Sequence, residues 1–205
     1  MAPISPLPVV RDAAAAWLES WFQWVNRCLV WGLCWLTVIL GPPATFSLFL
    51  AAHYNIHGTE LSLRELAGAG RGFFLQSWLW MLANLLAGGV VWAGFDLAAR
   101  LGGAWAAARW IALALGLVWL SVQLYALPFF MAQDRKSILL AFRNGFRAAS
   151  TAPLFTLLVL APALAVGAVS LLLVAPLALG GPGLIAVLAA QAAFARTRTY
   201  TLLEE

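Results

Sequence analysis

Two histidines, four residues apart, are the first feature of this sequence that could do chemistry. His53 and His57 are the only histidines in the chain, and on a helix this spacing places both imidazoles on one face. Such a pair could supply two ligands of a zinc or copper site, which needs at least one further ligand. Glu60 and Glu65 are near in sequence, but no third histidine or closely spaced cysteine pair accompanies them. His53 and His57 are therefore a candidate metal pair, although the favoured interpretation is two interfacial histidines at a helix end, with no metal or cofactor.

Three side-chain amides inside apolar stretches form the second candidate. Asn84, Gln123 and Gln191 could line a polar path for a neutral solute, or they could hydrogen-bond between helices, as such groups usually do in membranes. No charged residue is predicted deep in these stretches, which argues against proton-coupled transport, because pumps and proton relays normally need a buried ionisable group. No Ser/His/Asp or paired-carboxylate arrangement is predicted in the bilayer, so neither catalytic residues nor enzymatic activity are expected.

A helix break at Gly41, Pro42 and Pro43 interrupts the apolar run that precedes the histidines. The stretch from Cys28 to Leu40 would form a helix of about 20 Å, against about 30 Å of hydrocarbon. Residues 28–56 therefore either cross the membrane twice or form a re-entrant hairpin. A re-entrant break could aim backbone groups at a substrate. The favoured interpretation is a tight turn at the outer surface.

The elements that must position these residues are membrane helices. Hydrophobic residues make up 63% of the 205-residue chain and charged residues 10%, and the mean hydropathy is +0.90. A soluble domain of this size needs much more polar surface, since large exposed apolar patches cause association. The net charge of +4 is spread among tryptophans, which is typical of contact with anionic headgroups and does not indicate a nucleic-acid partner. The sequence thus predicts an integral membrane protein whose partner is the lipid bilayer.

The pattern along the chain predicts a single all-α membrane domain over residues 1–205, a transmembrane helical bundle of five to six spans. Residues 1–27 are expected to form an N-terminal interfacial amphipathic helix, and residues 28–56 the proline-broken hairpin. The remaining membrane spans are predicted at 73–95, 104–130, 153–174 and 179–195.

Two amphipathic segments, at residues 62–72 and 134–149, precede membrane spans. The second segment holds four basic residues, Arg135, Lys136, Arg143 and Arg147. Such helices could dock a partner, as the coupling helices of transporter permeases do. Headgroup anchoring is the favoured interpretation, because basic residues beside apolar ones bind lipid without any partner.

Basic residues are unevenly divided between the two predicted membrane faces. Of the 12 lysines and arginines, all but Arg100 and Arg109 lie near helix ends on one side. Since positive residues accumulate on the cytoplasmic side, the sequence predicts a multi-pass protein with its N- and C-termini in the cytoplasm.

Three motifs follow one another in a characteristic order. Asn26, Trp31 and the Gly-Pro-Pro-Ala-Thr stretch at 41–45 come first, a Phe-Phe-Leu-Gln-Ser-Trp helix start follows at 73–78, and Tyr-x-x-Pro at 125–128 precedes the basic segment. Over nearly its whole length the chain resembles the YesL-like family of bacterial integral membrane proteins, a domain of unknown function numbered 624. The doubled proline departs from the usual pattern. The resemblance implies the bacterial cytoplasmic (inner) membrane and an association with carbohydrate uptake, and it offers no catalytic residues or substrate to carry over.

Two functions are expected. The resemblance and the lack of buried charge favour a non-enzymatic accessory or regulatory subunit associated with carbohydrate uptake, partnered by a transporter permease. The alternative is a transporter or channel-like protein for a small neutral solute, alone or as a homodimer, which the broken helix and the three amides favour.

Overall fold

The computed structural model describes residues 5–101, 107–173 and 180–204, which within these ranges form nine α-helices and no strand. In chain order the helices are α1 (Pro6–Glu19), α2 (Trp21–Leu36), α3 (Gly41–Asn55), α4 (Leu63–Gly72), α5 (Phe74–Leu101), α6 (Ala107–Ala132), α7 (Ile138–Thr151), α8 (Pro153–Leu172) and α9 (Gly181–Glu204). The predicted segment boundaries at residues 1, 104, 174 and 179 lie outside the described ranges.

Three of these helices, α5, α6 and α8, are long and apolar enough to cross a membrane, with mean hydropathies of 1.5, 1.8 and 2.3 over their most apolar stretches. The prediction of an all-α fold is confirmed within the described ranges, where three helices, fewer than the predicted five to six, are consistent with a membrane protein by length and composition. Only 6% of the apolar stretch of α5 is buried inside the protein, against 39% for α6 and 33% for α8. Helix α5 is therefore peripheral, and its surface needs lipid as a cover.

The N-terminal segment consists of two helices that meet at Ser20, before the predicted boundary at residue 27. Ser20 Oγ donates to the carbonyl oxygen of Ala16 at 3.1 Å. Helix α1 buries Ala13 completely, and the indole of Trp17 donates to the carbonyl oxygen of Gly180 at 3.2 Å. These contacts make α1 part of the helix packing around α9.

Helix α3 lies at the centre of the bundle, in contact with α2, α4, α5, α6 and α9. Its first residues, Gly41 to Pro43, are buried. Farther along, the ring of Phe46 is fully buried and packs against Phe73 and Phe130, with centroid distances of 6.2 and 5.1 Å. The prolines of the break are therefore among the first residues of α3, a helix that is surrounded by other helices.

Helix α7 packs on α6 through a face of small residues. Ala141, Gly145 and Ala148 recur at spacings of four and three and are buried, as a helix-packing face requires. A Cβ atom on Gly145 would lie 2.9 Å from the carbonyl oxygen of Val122. The two backbones therefore approach as closely as only glycine permits.

Helix α4 begins with a reciprocal cap. The N–H of Glu65 donates to Ser62 Oγ at 3.4 Å, and the N–H of Ser62 donates to Glu65 Oε2 at 2.7 Å. The pair satisfies two donors that a helix start would otherwise leave unbonded. Because both the hydroxyl and the N–H of Ser62 donate to the carboxylate, the pKa of Glu65 lies below its ordinary value of 4.5.

Replacing Ser62 by alanine is expected to lower the melting temperature by about 2–4 °C, the usual effect of losing an N-cap in a protein of this size. A carboxyl group whose folded pKa is depressed stabilises the protein above its unfolded pKa, and this contribution is lost as the pH falls through the folded pKa. Without the Ser62 hydroxyl the pKa of Glu65 should be less depressed. As the pH is lowered, the variant should therefore lose the stabilisation by the Glu65 carboxylate at a higher pH than the wild type does. Thermal melts in detergent at several acidic pH values measure this, with Ser150→Ala as the control. The same acid dependence in all three proteins would contradict the cap.

Candidate functional site

The two predicted histidines lie at the end of α3 and contact each other. Their ring centroids are 4.8 Å apart, and His57 Nδ1 lies 2.7 Å from the carbonyl oxygen of His53. Because a carbonyl oxygen only accepts, His57 Nδ1 must carry the proton in this contact. The His57 ring also packs edge-on against Phe194 of α9 at 5.5 Å, so the pair contributes to the contact between α3 and α9.

The carboxylates near the histidines in sequence are engaged elsewhere. Glu60 accepts a hydrogen bond from the Gln23 side chain, and Glu65 caps α4. Over the described ranges, no three His, Cys, Asp or Glu side chains lie close enough to hold a metal ion. His53 and His57 instead line a small cavity, about 220 Å³, beside Pro128.

Asn84 and Gln123 pair with tryptophans across the interface of α5 and α6. Trp80 Nε1 donates to Gln123 Oε1 at 2.9 Å, and Trp119 Nε1 donates to Asn84 Oδ1 at 3.1 Å. Asn84 Nδ2 donates to the carbonyl oxygen of Trp80 at 2.8 Å. Each amide thus accepts from an indole of the opposite helix, which holds the two helices together as amides do in membranes.

The third amide, Gln191, lies half-buried on α9. None of the hydrogen bonds described here joins it to Asn84 or Gln123, whose amide oxygens accept from indoles at the interface of α5 and α6. The geometry therefore gives Asn84 and Gln123 a role in helix packing.

The Gly-Pro-Pro break forms a turn whose backbone donors are satisfied locally. Every N–H from Thr37 to Gly41 donates to a main-chain oxygen of α2 or the turn, or, for Leu40, to Thr37 Oγ1. The N–H of Ala44 donates to the carbonyl oxygen of Leu40 at 2.9 Å. A helix start normally leaves four donors unpaired. Here two are absent because residues 42 and 43 are prolines, and the other two are bonded.

The exposed surface of this turn consists of apolar side chains. Leu36 is 80% exposed, and Val38, Ile39 and Leu40 are also exposed. The hydroxyl of Thr37 donates back to the carbonyl oxygen of Cys34 at 2.7 Å. Val38 adopts φ +60°, which is unusual for a β-branched residue.

Two tryptophans of α2 fix the first turn of α3. Trp31 Nε1 and Trp35 Nε1 lie 3.0 and 3.3 Å from Oγ1 of Thr45 and donate to it, while this hydroxyl donates to the carbonyl oxygen of Gly41 at 3.0 Å. A Cβ atom on Gly41 would lie 2.5 Å from the Trp35 ring. The motif residues around the break therefore form one packed unit.

A cleft of about 300 Å³ opens between α2, α3 and α4. Its volume is at the lower end of the range for small-molecule sites, about 300–1,000 Å³. Helix α4 is held on α3 by Ser47 Oγ, which donates to the carbonyl oxygen of Leu66 at 2.8 Å. The walls are mainly apolar and include Val30, Trp31, Pro43, Leu48, Leu66 and Phe74. Two arginines, Arg27 and Arg71, also line the cleft.

Arg27 is a buried cation in the wall of this cleft, with 7% of its surface exposed. Its Nη2 donates to Gln23 Oε1 and to the carbonyl oxygen of Leu61, both at 3.1 Å. The guanidinium also lies over the Trp24 ring, 5.0 Å from the centroid. Its Nη1 is buried and has no hydrogen-bond partner among the described residues, and no described carboxylate lies within 4.0 Å of it.

The outward face of α7 combines large apolar and basic side chains. Leu139 and Phe146 are 77% and 56% exposed, and Arg143 and Arg147 are exposed beside them. Spacings of three and four place these residues on one face. Both basic residues before α7, Arg135 and Lys136, are exposed as well.

Lys136 has a structural role at the end of α6. Its Nζ donates to the carbonyl oxygen of Met131 at 2.8 Å, which satisfies one of the carbonyl groups that a helix end leaves free. Partial burial lowers the pKa of this amine. The four predicted docking residues therefore divide into three exposed arginines and one lysine that caps a helix.

Sequence reasoning identified the break, the amides and the basic helix but did not identify the cleft. It treated Arg27 as one of many basic residues near helix ends. The available signal was the position of Arg27 between Trp24 and Trp31 in a run with few other polar residues. Its burial depends on Leu61, a residue on a different segment, so local pattern alone could not reveal it.

The resemblance to the YesL-like family remains a prediction from the motifs. No protein family, curated protein or solved structure matches the chain.

Proposed function

We propose that this chain is a non-enzymatic integral membrane protein that acts as an accessory or regulatory subunit of a carbohydrate uptake system, docking on a transporter permease through the outward face of α7. The observation that carries the proposal is the exposure of Leu139 and Phe146 on the same helix face as the exposed Arg143 and Arg147. The link to carbohydrate uptake rests on the family resemblance.

The close packing of α7 on α6 supports docking to a partner protein over anchoring to lipid headgroups. A helix that only lies on headgroups needs no close contact with its own protein, whereas α7 is fixed to α6 by backbone contact at Gly145. A rigidly held amphipathic helix loses little entropy when it enters a groove on a partner. The arginines would select a partner with an acidic surface.

The chemistry of the turn at the helix break supports a re-entrant arrangement of α2 and α3, in place of the expected turn at the outer surface. In hydrocarbon each unbonded N–H costs several kcal/mol, and this turn satisfies its donors internally. Its apolar side chains are exposed, which is costly in water and favourable in lipid. In this proposal the hairpin and α9 join the three candidate spans α5, α6 and α8, which gives five to six membrane segments.

In this proposal both termini lie in the cytoplasm of a bacterial cell, and the protein spans the inner membrane. The distribution of basic residues supports this orientation. The transporter alternative has less support, because the two amides Asn84 and Gln123 already accept from indoles.

The double variant Arg143→Glu/Arg147→Glu is expected to weaken docking about tenfold or more, since like-charge contacts at an interface cost several kcal/mol. A photo-crosslinking amino acid at position 139, in cells that make the full chain, should capture a polytopic permease in the wild type. The variant should capture much less of it. Mass spectrometry identifies the captured protein and measures its amount.

The matched control is Arg100→Glu/Arg109→Glu, which changes the charge equally at the opposite predicted face and should leave capture unchanged. Proteoliposomes that contain the purified chain alone should show no sugar flux. Capture of lipid only, or equal capture by both double variants, would contradict docking through α7. Sugar flux by the chain alone that falls in Gln123→Leu would favour the transporter alternative.

A further inference from the structure

Arg27 places a buried cation with unused hydrogen-bond donors in the wall of the cleft between α2, α3 and α4. Its Nη2 is held by two neutral oxygens, those of Gln23 and Leu61, and its buried Nη1 has two N–H groups without an acceptor. A buried charge is costly unless an opposite charge accompanies it. The carboxylate of Glu60 attracts the Arg27 guanidinium through space. It accepts from Gln23 and, among the described residues, does not come within 4.0 Å of Arg27, so Nη1 still has no acceptor.

The chemistry of this nitrogen selects an oxyanion. Guanidinium N–H groups bind phosphate and carboxylate oxygens with short, charge-assisted hydrogen bonds. Most of the arginine is already immobilised by its contacts with Trp24 and Leu61, so an incoming anion would meet an ordered donor. A preorganised donor of this kind costs little further entropy on binding.

The two ends of the cleft differ in polarity. The Arg27 end adjoins Leu61 and the polar connection before α4. The other end is lined by Leu40, Pro43 and Phe74, close to the apolar turn. Helix α4 has 10 residues, so the ends are about 15 Å apart. Arg71 at the far end is exposed, so its long side chain can extend the charge away from the apolar walls.

This polarity gradient fits an amphiphile better than a small anion. A free phosphate or a sugar phosphate would satisfy Arg27 but leave the apolar walls at Leu40 and Phe74 uncovered. An acyl chain would bury these walls and gain hydrophobic energy in proportion to the area covered. Anionic phospholipids combine both features and surround a membrane protein at high concentration.

We propose that the cleft between α2, α3 and α4 binds one anionic phospholipid, with its phosphate on Arg27 Nη1 and an acyl chain along the walls that lead to Leu40 and Phe74. This site is separate from the α7 face and does not depend on the docking function.

Native mass spectrometry of the full chain in detergent, titrated with phosphatidylglycerol, tests the proposal. The wild type should retain one tightly bound molecule. Arg27→Gln should weaken this binding about tenfold or more, the usual cost of losing a charged hydrogen bond. Arg64→Gln removes the same charge from an exposed position on α4 outside the cleft and should leave the affinity within about twofold.

A second variant keeps the proposal testable if Arg27→Gln fails to fold. Ala67 lines the cleft and is exposed on α4, so Ala67→Phe should fill the cleft while Arg27 stays in place. It should weaken lipid binding as strongly as Arg27→Gln. Unchanged binding in Ala67→Phe, or in a folded Arg27→Gln, would overturn the site.

Two further ligands identify what the site recognises. Phosphatidylcholine with the same chains should bind more weakly, because its headgroup carries no net negative charge, and glycerol 3-phosphate, which lacks acyl chains, should not bind measurably. Equal binding of phosphatidylcholine would show that Arg27 does not select charge and would overturn the proposal. Equal binding of glycerol 3-phosphate would make the cleft a free-anion site and would overturn the assignment to lipid.

Discussion

Replacing Gly145 with alanine is expected to destabilise the protein by about 1–3 kcal/mol, the usual cost of overpacking, and replacing it with leucine to detach α7 from α6. The added Cβ would lie 2.9 Å from the carbonyl oxygen of Val122 and 3.4 Å from the amide nitrogen of Ala126. Both atoms belong to the backbone of α6, so relief requires a shift of a whole helix. The Leu variant should also lose permease capture, because the docking face is then no longer held.

Gly88 provides the matched control for this prediction. It lies within α5, and a Cβ atom there would have nothing within 4 Å. Alanine at this position should be neutral or stabilising by up to about 1 kcal/mol, because alanine favours helix more than glycine does. Thermal unfolding in detergent, followed by circular dichroism, measures both substitutions. Equal melting temperatures for Gly145→Ala and Gly88→Ala would contradict the close packing of α7.

Replacing Thr45 with valine is expected to destabilise the protein by about 2–6 kcal/mol, because it leaves two indole donors without an acceptor at about 1–3 kcal/mol each. Valine has nearly the same shape as threonine, so the loss should come from the hydroxyl that accepts from Trp31 and Trp35. The contact between α2 and the start of α3 should loosen. Because Trp31 lines the cleft, lipid binding should weaken as well.

Thr45→Ser is the control for this substitution, since serine keeps the hydroxyl and loses only a methyl group. It should retain most of the stability and the lipid affinity. Thermal unfolding and native mass spectrometry of the two variants separate the hydrogen bonds from packing. A Thr45→Ser variant as unstable as Thr45→Val would show that the methyl group, and not the shared acceptor, holds the turn.

The lipid cleft and the α7 docking face share one structural feature. In each, a glycine allows a short amphipathic helix to pack closely against a longer apolar helix. Gly70 brings α4 against α3, where a Cβ would lie 2.7 Å from Ser47 Oγ, and Gly145 brings α7 against α6. On α7 the side that faces away from α6 carries Arg143 and Arg147, and the close contact at Gly145 fixes where these charges are presented. On α4 the close contact at Gly70 holds one wall of the lipid cleft in place. Substitution of either glycine should therefore affect function as well as stability.

The sequence by itself determined the membrane class and the positions of the breaks. Transfer of apolar residues into lipid is nearly additive along a helix, so composition alone predicts spans such as α5 and α8. Two consecutive prolines remove two backbone donors, and a helix start is where that loss costs least, so residues 42 and 43 favour a helix start at this position. The spacing of His53 and His57 predicts neighbouring rings because helical periodicity is local, and the ring centroids lie 4.8 Å apart although α3 ends at Asn55.

Only the tertiary structure decided what these residues contact. The oxygens of Asn84 and Gln123 accept from Trp119 and Trp80, partners on the facing helix that no local pattern specifies. The apolar turn at residues 36–40 is exposed because no other described helix packs over these side chains. Arg27 became a buried, partly unsatisfied cation because Leu61 and α4 fold over it. Burial and hydrogen bonding between distant segments depend on where whole helices pack, and that information is not present in the spacing of residues along one of them.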